Sequence, residues 1–186
     1  MKTFVLPAIK LTLIFILILA VGYPLLIAGV GKLSPGHGQG IKIMKDGKVI
    51  GYANIGQKFT KDSYFNGRPS STSFNAAGSG GSNKGPSNPD YLKDVQAKID
   101  TFMKHNPGVP KAQIPTELVT YSGSGIDPDL SPEAARIQVK RVAAVRNLHE
   151  ASVMALVNQQ VDKSFLGLGP EKVNVLRLNL ALDTLK

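Results

Sequence analysis

Hydrophobic and polar positions change rhythm several times along this chain. From Leu11 to Gly31 the run LTLIFILILAVGYPLLIAGVG carries no charge over 21 residues, which as a helix reaches about 31 Å, the hydrocarbon thickness of a bilayer. Thirteen of those residues are Leu, Ile, Val or Phe, so insertion is favourable without any charged side chain to offset it. Lys2, Lys10 and the amino terminus precede the run, and the positive-inside rule then puts residues 1–10 in the cytoplasm, the span at 11–31 and residues 32–186 outside. The competing reading is a cleaved signal peptide ending near Ala20-Val21-Gly22, but the apolar stretch continues through Leu25, Leu26, Ile27 and Val30, longer than a signal core. Pro24 removes one backbone hydrogen bond inside the span and predicts a kink there. Ala20, Pro24 and Ala28 recur at intervals of four and offer a narrow face to another helix, a bent anchor without a partner being the plainer alternative.

After a mobile stretch, LSPGHGQG, two apolar runs flank Asp46-Gly47, which predicts a tight hairpin with strands near Ile41 to Met44 and Lys48 to Ile55. The stretch YFNGRPSS, Tyr64 to Ser71, reads as extended and turned. Asn88 is a natural N-cap, Pro89 fits the first helical position and Asp90 complements the dipole. The stripe Leu92, Val95, Ile99 and Phe102 follows helical spacing until Asn106-Pro107-Gly108 closes it. A second extended piece is expected from Glu117 to Ser122. Ser131-Pro132 then opens a helix running to about Arg146, burying Ala135, Val139, Val142 and Ala143 and showing Arg136 and Lys140. Another helix begins near His149 with Val153, Leu156, Val157 and Val161 on one face, the short join suggesting an antiparallel pair. In VNVLRLNLALD the leucines at 176, 178, 180 and 182 alternate with other residues, which argues for a returning strand whose end is open to a short helix. The expected fold is α+β: a single N-terminal transmembrane helix, then a small extracytoplasmic domain with a mainly antiparallel sheet and about three helices.

Composition narrows the function. At 186 residues and 42% hydrophobic, the chain holds one ordinary domain plus an appendage, and without cysteine it has neither disulfides nor thiolate metal sites. The formal charge of +9 suggests nucleic acid at first sight, yet three of the lysines, Lys2, Lys10 and Lys32, flank the apolar run. The charges that remain are dispersed, concentrating only between Arg136 and Arg146, so no nucleic-acid partner is expected; a solvated basic surface, or a patch facing a membrane or an acidic partner, fits better.

A search for chemistry returns little. No segment has the glycine spacing and Lys-Ser/Thr ending of a phosphate loop, and neither glycine-serine cluster has the Gly-x-Ser-x-Gly spacing of a hydrolase elbow. His37, His105 and His149 stand far apart with no partner at helical spacing, so no metal site is expected. Asp127 and Asp129 lack an EF-hand's glycine and terminal glutamate, and turn chemistry explains them better. No catalytic residues of its own are expected.

What remains to be explained is the ordered succession of small polar blocks. FNGRPSSTSFNAAGSGGSNKGPSNP at Phe65 to Pro89, VTYSGSGIDPDLSPEAA at Val119 to Ala135, QVKRVAAVRNL at Gln138 to Leu148 and VNVLRLNLALD at Val173 to Asp183 together resemble one family, KdpC, the C subunit of the Kdp potassium-transporting P-type ATPase. The match runs in order almost to the C-terminus, and a single N-terminal membrane helix fits the family.

The resemblance implies an accessory subunit of a bacterial inner-membrane potassium importer, whose partners are a potassium-channel-like subunit, an ATP-hydrolysing subunit and the lipid bilayer. It further implies assembly and stabilisation of that complex, and a catalytic-chaperone role that raises its ATP affinity, with ATP the only cofactor suggested. The chain lacks the Asp-Lys-Thr-Gly phosphorylation motif of P-type pumps, and a domain outside the cell has no access to cytoplasmic ATP. The fold or subunit-contact motif falls on Asn66, Gly67, Arg68, Pro69, Asn75, Ser79, Gly80, Gly81, Ser82, Asn83, Gly85, Pro86, Asn88 and Pro89, with Ser122, Ser124, Gly125, Asp127 and Arg141. In this reading the glycines permit tight turns, Asn75, Ser79, Ser82, Asn83 and Asn88 satisfy exposed amides, and the loop is an ordered surface. Departures from the family's usual pattern are Asp129 for His, Gly169-Pro170-Glu171-Lys172 for Gly-Glu-Pro-Arg, and His149 for a capping Ser. The alternatives are a membrane-anchored extracytoplasmic ligand-binding or sensor module, which needs a pocket with converging polar groups, and an anchored hydrolase, for which no nucleophile constellation is present.

Overall fold

The computed structural model describes residues 2–163 and 169–185, with the Lys2 side chain excepted. Met1 and the Lys2 side chain, which bear on orientation through their charge, lie outside the described residues. The chain divides into two compact units, residues 1–42 and 43–186.

In the first unit, α1 (Lys2–Ile16), a π-helical turn (Leu17–Gly22) and α2 (Tyr23–Gly31) join into one helical run. Of it, Thr3–Gly31, 29 residues, is the one run among the described residues long and apolar enough to cross a membrane. It starts upstream of the expected Leu11, and at about 44 Å it is longer than the hydrocarbon core of a bilayer is thick. The effect of Pro24 is visible just before it. A proline ring crowds the carbonyl four residues earlier, and here the backbone widens so that the Tyr23 N–H reaches Ile18 O, one residue further back than an α-helical bond. The LSPGHGQG stretch is a succession of turns rather than slack chain. Ser34 Oγ donates to Gly31 O at 2.6 Å, and His37 Nδ1 hydrogen-bonds Lys32 O at 3.1 Å.

The second unit opens with the hairpin β1 (Lys42–Lys45) and β2 (Lys48–Tyr52), turning at Asp46 and Gly47 with φ of 50° and 75°, the left-handed pair that a two-residue hairpin turn requires. Then come α3 (Pro89–His105), two 3-10 turns (Lys111–Gln113, Thr116–Leu118), β3 (Asp129–Leu130), α4 (Pro132–Arg136), α5 (Val139–Arg146), α6 (Glu150–Gln159), β4 (Val161–Asp162), β5 (Lys172–Asn174) and α7 (Val175–Thr184). The second sheet has the order β3-β5-β4, antiparallel throughout, with Leu130 opposite Val173 and Val161 opposite Val173 on the other side. The α+β class with antiparallel sheets therefore holds.

Three elements differ from expectation, each for a local reason. The piece expected to be extended at Glu117 to Ser122 begins as a 3-10 turn, because Thr116 O accepts from both Val119 N and Thr120 N. The helix expected from Ser131 to Arg146 is two helices, separated at Ile137 and Gln138, where the Gln138 side chain turns inward and donates to Ala134 O. The C-terminal leucine run is a helix. Asn174 Oδ1 caps it by accepting from Arg177 N at 3.1 Å, and Val175, Leu178 and Leu182 are buried at helical spacing. The alternating leucines also contain helical spacing, since Leu178 and Leu182 stand four residues apart and share the buried face. These changes raise the number of α-helices in this unit to five among the described residues.

The main core gathers Phe65, Val139, Val142, Val153, Val157, Val173, Leu178 and Leu182, all at most 2% exposed. A smaller cluster joins Leu118, Leu130, Ala134 and Val175, against which Phe59, Phe102, Ile114 and Ile137 pack. No residue of α3 is fully buried, and Leu92, expected on its inner stripe, is exposed.

Entering the main core at Phe65 is a segment, Phe65–Ser70, that belongs to no sheet or helix. Its buried backbone groups still need partners. Asn179 on α7, 2% exposed, supplies them for Phe65: its Oδ1 accepts from Phe65 N at 2.9 Å and its Nδ2 donates to Phe65 O at 3.0 Å. Replacing Asn179 by Leu keeps the shape and orphans both groups, at about 1 to 3 kcal/mol each. Urea unfolding of the detergent-solubilised chain is expected to show N179L destabilised by about 2 to 5 kcal/mol.

Candidate functional site

The sequence blocks singled out above converge on two linked constructions. In the inner one, Gln138 repeats for Asn66 what Asn179 does for Phe65: Oε1 accepts from Asn66 N at 2.9 Å and Nε2 donates to Asn66 O at 3.1 Å. Two consecutive residues, the buried Phe65 and the half-buried Asn66, are thus paired by amide side chains from α7 and from the start of α5, as a neighbouring strand would pair them. Arg141, one helical turn past Gln138, has its side chain only 3% exposed. All five of its N–H groups are used. Nε donates to Asn106 Oδ1 (3.0 Å), Nη1 to the carbonyls of Asp62 and Tyr64, and Nη2 to Asn66 Oδ1 (3.1 Å) and Gln138 Oε1 (2.7 Å). Burial pulls the Arg141 pKa below the ordinary arginine value, the Asp62 carboxylate opposing it, and the group stays a cation because that ordinary value lies far above neutrality.

Arg146, one and a half turns further on, extends the clasp. It donates from Nε to Ser63 O (2.6 Å) and from Nη2 to Asp183 Oδ1 (2.9 Å), and its guanidinium lies 4.6 Å from the centre of the Tyr64 ring. Burial would raise the Asp183 carboxyl, but hydrogen bonds from Arg146, Tyr64 and Lys45 outweigh it and hold it below the ordinary aspartate range.

The outer construction joins the loop after Phe65 to the loop 121–129. Arg68 Nη1 meets Asp127 Oδ2 at 3.0 Å and Nη2 reaches Tyr121 O, while Ser122 N donates to Pro69 O. Gly67 lies beside Val175. Ser70 Oγ donates to Gly125 O at 2.5 Å and accepts from Phe74 N, and Thr72 Oγ1 donates to the same carbonyl. Ser124 O accepts from both Gly80 N (2.8 Å) and Ser79 Oγ (3.0 Å). Gly125 has φ of +68°, and a Cβ there would stand 2.4 Å from Thr72 Oγ1 and 2.7 Å from Gly80 O. Only glycine fits that crossing. Gly81 also passes close to the other loop, where a Cβ would meet Gly123 O at 3.1 Å.

Asn75 and Asn88 do what was expected of them. Asn75 Oδ1 accepts from Ala77 N, and Asn88 Oδ1 caps α3 by accepting from Asp90 N and Tyr91 N, with Pro89 in the first turn. Ser79 instead satisfies a carbonyl, and Asn83 contributes a left-handed turn at φ 55°. Ser82 is half-buried, while Gly85 and Pro86 are exposed. The loop thus has an inner side tied to residues 122–126 and an outer rim of Asn75 to Gly78 and Asn83 to Ser87 open to solvent.

Gln138, Asn179, Asn106 and Asp62 were not singled out by sequence. The available signal was an amide at helical spacing inside an apolar stripe, as Asn179 is among Val175, Leu178 and Leu182. The histidines stay apart: His105 Nδ1 is 2.8 Å from Asp62 Oδ1, and His149 stands at the N-cap of α6 without a side-chain cap bond. Among the described residues no group of three His, Asp or Glu is placed to hold a metal. Two departures from the usual pattern meet each other: Lys172 Nζ lies 2.7 Å from Asp129 Oδ2 across the β3–β5 pair. An open groove of about 380 Å³, lined by Phe59, Asp62, Lys98, Phe102, His105 and Leu118, runs beside α3.

Comparison with known proteins adds a family. The family described as "KdpC: K+-transporting ATPase, c chain" matches residues 5–184. A protein of Flavobacterium johnsoniae named potassium-transporting ATPase KdpC subunit is 54% identical over 178 residues, covering 96% of each chain. Proteins of the same name are 46% identical over 190 residues in Phocaeicola vulgatus, covering all of both chains, and 47% identical over 176 residues in Caldanaerobacter subterraneus, covering 94% of this chain and 91% of that one.

The inner clasp makes two predictions. Lysine at 141 keeps the charge but has three donors for five acceptors, so R141K is expected to cost on the order of 3 kcal/mol in denaturant unfolding, and R141A at least as much. For Asp183 the sign follows from its depressed folded-state pKa: its stabilisation is complete above the ordinary aspartate value of about 3.9 and is lost as pH falls through the lower folded value. D183N therefore flattens the acid limb of the stability profile below about pH 4, which a pH series of thermal melts measures.

Proposed function

Because this chain belongs to the KdpC family of K+-transporting ATPase c chains, we propose that it serves the pump as a non-catalytic subunit, held by its helix and docked through its loop module. In this reading residues 11–31 cross the inner membrane as a single pass, the N-terminus is cytoplasmic, and the domain faces outward over the channel-like and ATP-hydrolysing subunits. The observation that carries it is the outer loop pair. A stretch of glycine, serine and asparagine with no sheet or helix is held in one conformation by Ser79, Gly80, Ser124 and Gly125, leaving a preformed rim for a partner at little further ordering cost. The π turn before Pro24 supports a helix shaped to lie against another, since widened turns in membrane helices persist where packing stabilises them.

The chaperone role then acts at a distance. The subunit favours the assembled, ATP-competent arrangement of its partner and touches no nucleotide itself, since a domain on the outer face has no access to cytoplasmic ATP. A ligand-binding module is the second reading, and the groove beside α3 is what favours it: its size lies within the range of small-molecule pockets, and Lys98 and His105 converge on it.

Copurification separates these readings. Wild-type chain is expected to bring down two large membrane subunits in detergent, and the rim variants K84E and P86R to reduce that recovery about tenfold, about 1.4 kcal/mol of binding, while melting like wild type. Recovery of the chain alone would contradict the proposal. Protease added outside intact cells is expected to cleave the domain, and removing the subunit to raise the pump's KM for ATP; an unchanged KM would contradict the chaperone role.

A further inference from the structure

The hairpin β1–β2 has no role in the loop module, and its exposed side chains have an unusual character. Its strands carry Lys42, Lys45 and Lys48 against a single acid, Asp46, at the turn, and Lys32 stands just before it at the end of the apolar helix. The two-residue turn sets Met44 opposite Val49, and these apolar side chains are 53% and 47% exposed. Lys42 alternates onto the same face as Met44. Lys45 leans to Asp183 at 3.4 Å, whereas Lys32, Lys42 and Lys48 have no ion-pair partner among the described residues.

Chain connectivity fixes where this hairpin starts. Residues 32–38 fold back in turns, so that a Cβ on Gly38 would stand 3.5 Å from Gly31 O, at the last residue of α2. Only Gln39, Gly40 and Ile41 separate that point from Lys42, and four residues reach at most about 14 Å. The basic strand therefore begins within about 14 Å of that point, within reach of the phospholipid headgroups if that helix spans.

We infer that the Lys42–Val49 hairpin rests on the bilayer leaflet entered by the Gly31 end of the helix, its lysines recognising anionic phospholipid headgroups while Met44 and Val49 reach the acyl boundary. The charge is complementary to phosphate-bearing lipid, and the alternation of lysine with a thin apolar strip suits an interface rather than a protein core. This contact fixes the hairpin to the membrane, and it rests on the membrane-spanning reading of the helix.

The test uses the full chain in nanodiscs, and its lack of tryptophan and cysteine makes single probes unambiguous. V49W reports the hairpin, Y23W the span, and V145W, at an exposed position of α5, a surface site outside the hairpin. In discs of phosphatidylcholine with phosphatidylglycerol, V49W is expected to emit further to the blue than V145W and to be quenched by brominated lipid. Both effects should fall several-fold in phosphatidylcholine alone, and again when K42Q and K48Q are combined with V49W. A nitroxide on M44C should show the same lipid dependence. If Y23W is quenched in both lipids while V49W behaves like V145W, the hairpin contact is wrong and the span stands; if Y23W is not quenched, the spanning premise itself fails. Equal V49W quenching in both lipids, unmoved by K42Q and K48Q, overturns headgroup recognition. Loss of lipid quenching on adding the partner subunits overturns the lipid assignment and gives the face to a protein.

Discussion

Everything in the second unit is arranged around one difficulty: a segment without regular secondary structure enters the core at Phe65 with no strand beside it. Phe65 is fully buried, so its backbone groups are out of reach of water and each would cost more unpaired than an ordinary hydrogen bond contributes, while those of the half-buried Asn66 are shielded in part. Asn179 and Gln138 act as a discontinuous strand in its place, and Arg141 supplies the carbonyls around the preceding turn. The cost of burying that cation is offset because no donor of its fork is left over.

That arrangement explains features that look unrelated. Gln138 has to face inward at the start of α5, which is where the helix opened by Ser131 is interrupted. Asn106, the residue after α3, orients toward Arg141 Nε, and so α3 is anchored at its C-terminal end although none of its residues is fully buried. The segment leaves the core at Arg68 and Pro69 in a fixed direction. The following glycine- and serine-rich loop then meets residues 122–126 in register, and the crossing at Gly125 leaves no room for a side chain. A buried polar clasp is thereby converted into an ordered surface rim, the face proposed above for the partner contact.

Much of this was legible in advance, and the reasons for success and failure are physical. The hairpin at Asp46-Gly47, the cap-and-proline starts at Asn88 and Ser131 and the buried faces of α5 and α6 are set by local stereochemistry or by periodicity, which a sequence displays directly. The C-terminal segment was read as a strand with its end open to a short helix; the strand is confined to Lys172–Asn174 and the helix takes the leucines, because the cap at Asn174 and the burial of Val175 and Asn179 favour it. Within the site, glycine and serine positions could be named from their clustering, whereas Gln138 and Asn179 could not, since a buried amide is defined by a partner more than seventy residues away. The resemblance supplied the family; it did not supply the clasp that makes the loop rigid.

The central claim is that the loop of residues 73–88 is held in one conformation before any partner arrives and then forms part of the partner contact. Hydrogen exchange read amide by amide, on the chain alone and in the assembled pump, tests both halves together. Gly80 N–H, bonded to Ser124 O, should already exchange slowly in the isolated chain, and the exposed amides of Asn83 to Ser87 should slow only on assembly. Fast exchange at Gly80 in the isolated chain, or rim amides indifferent to assembly, would contradict the account.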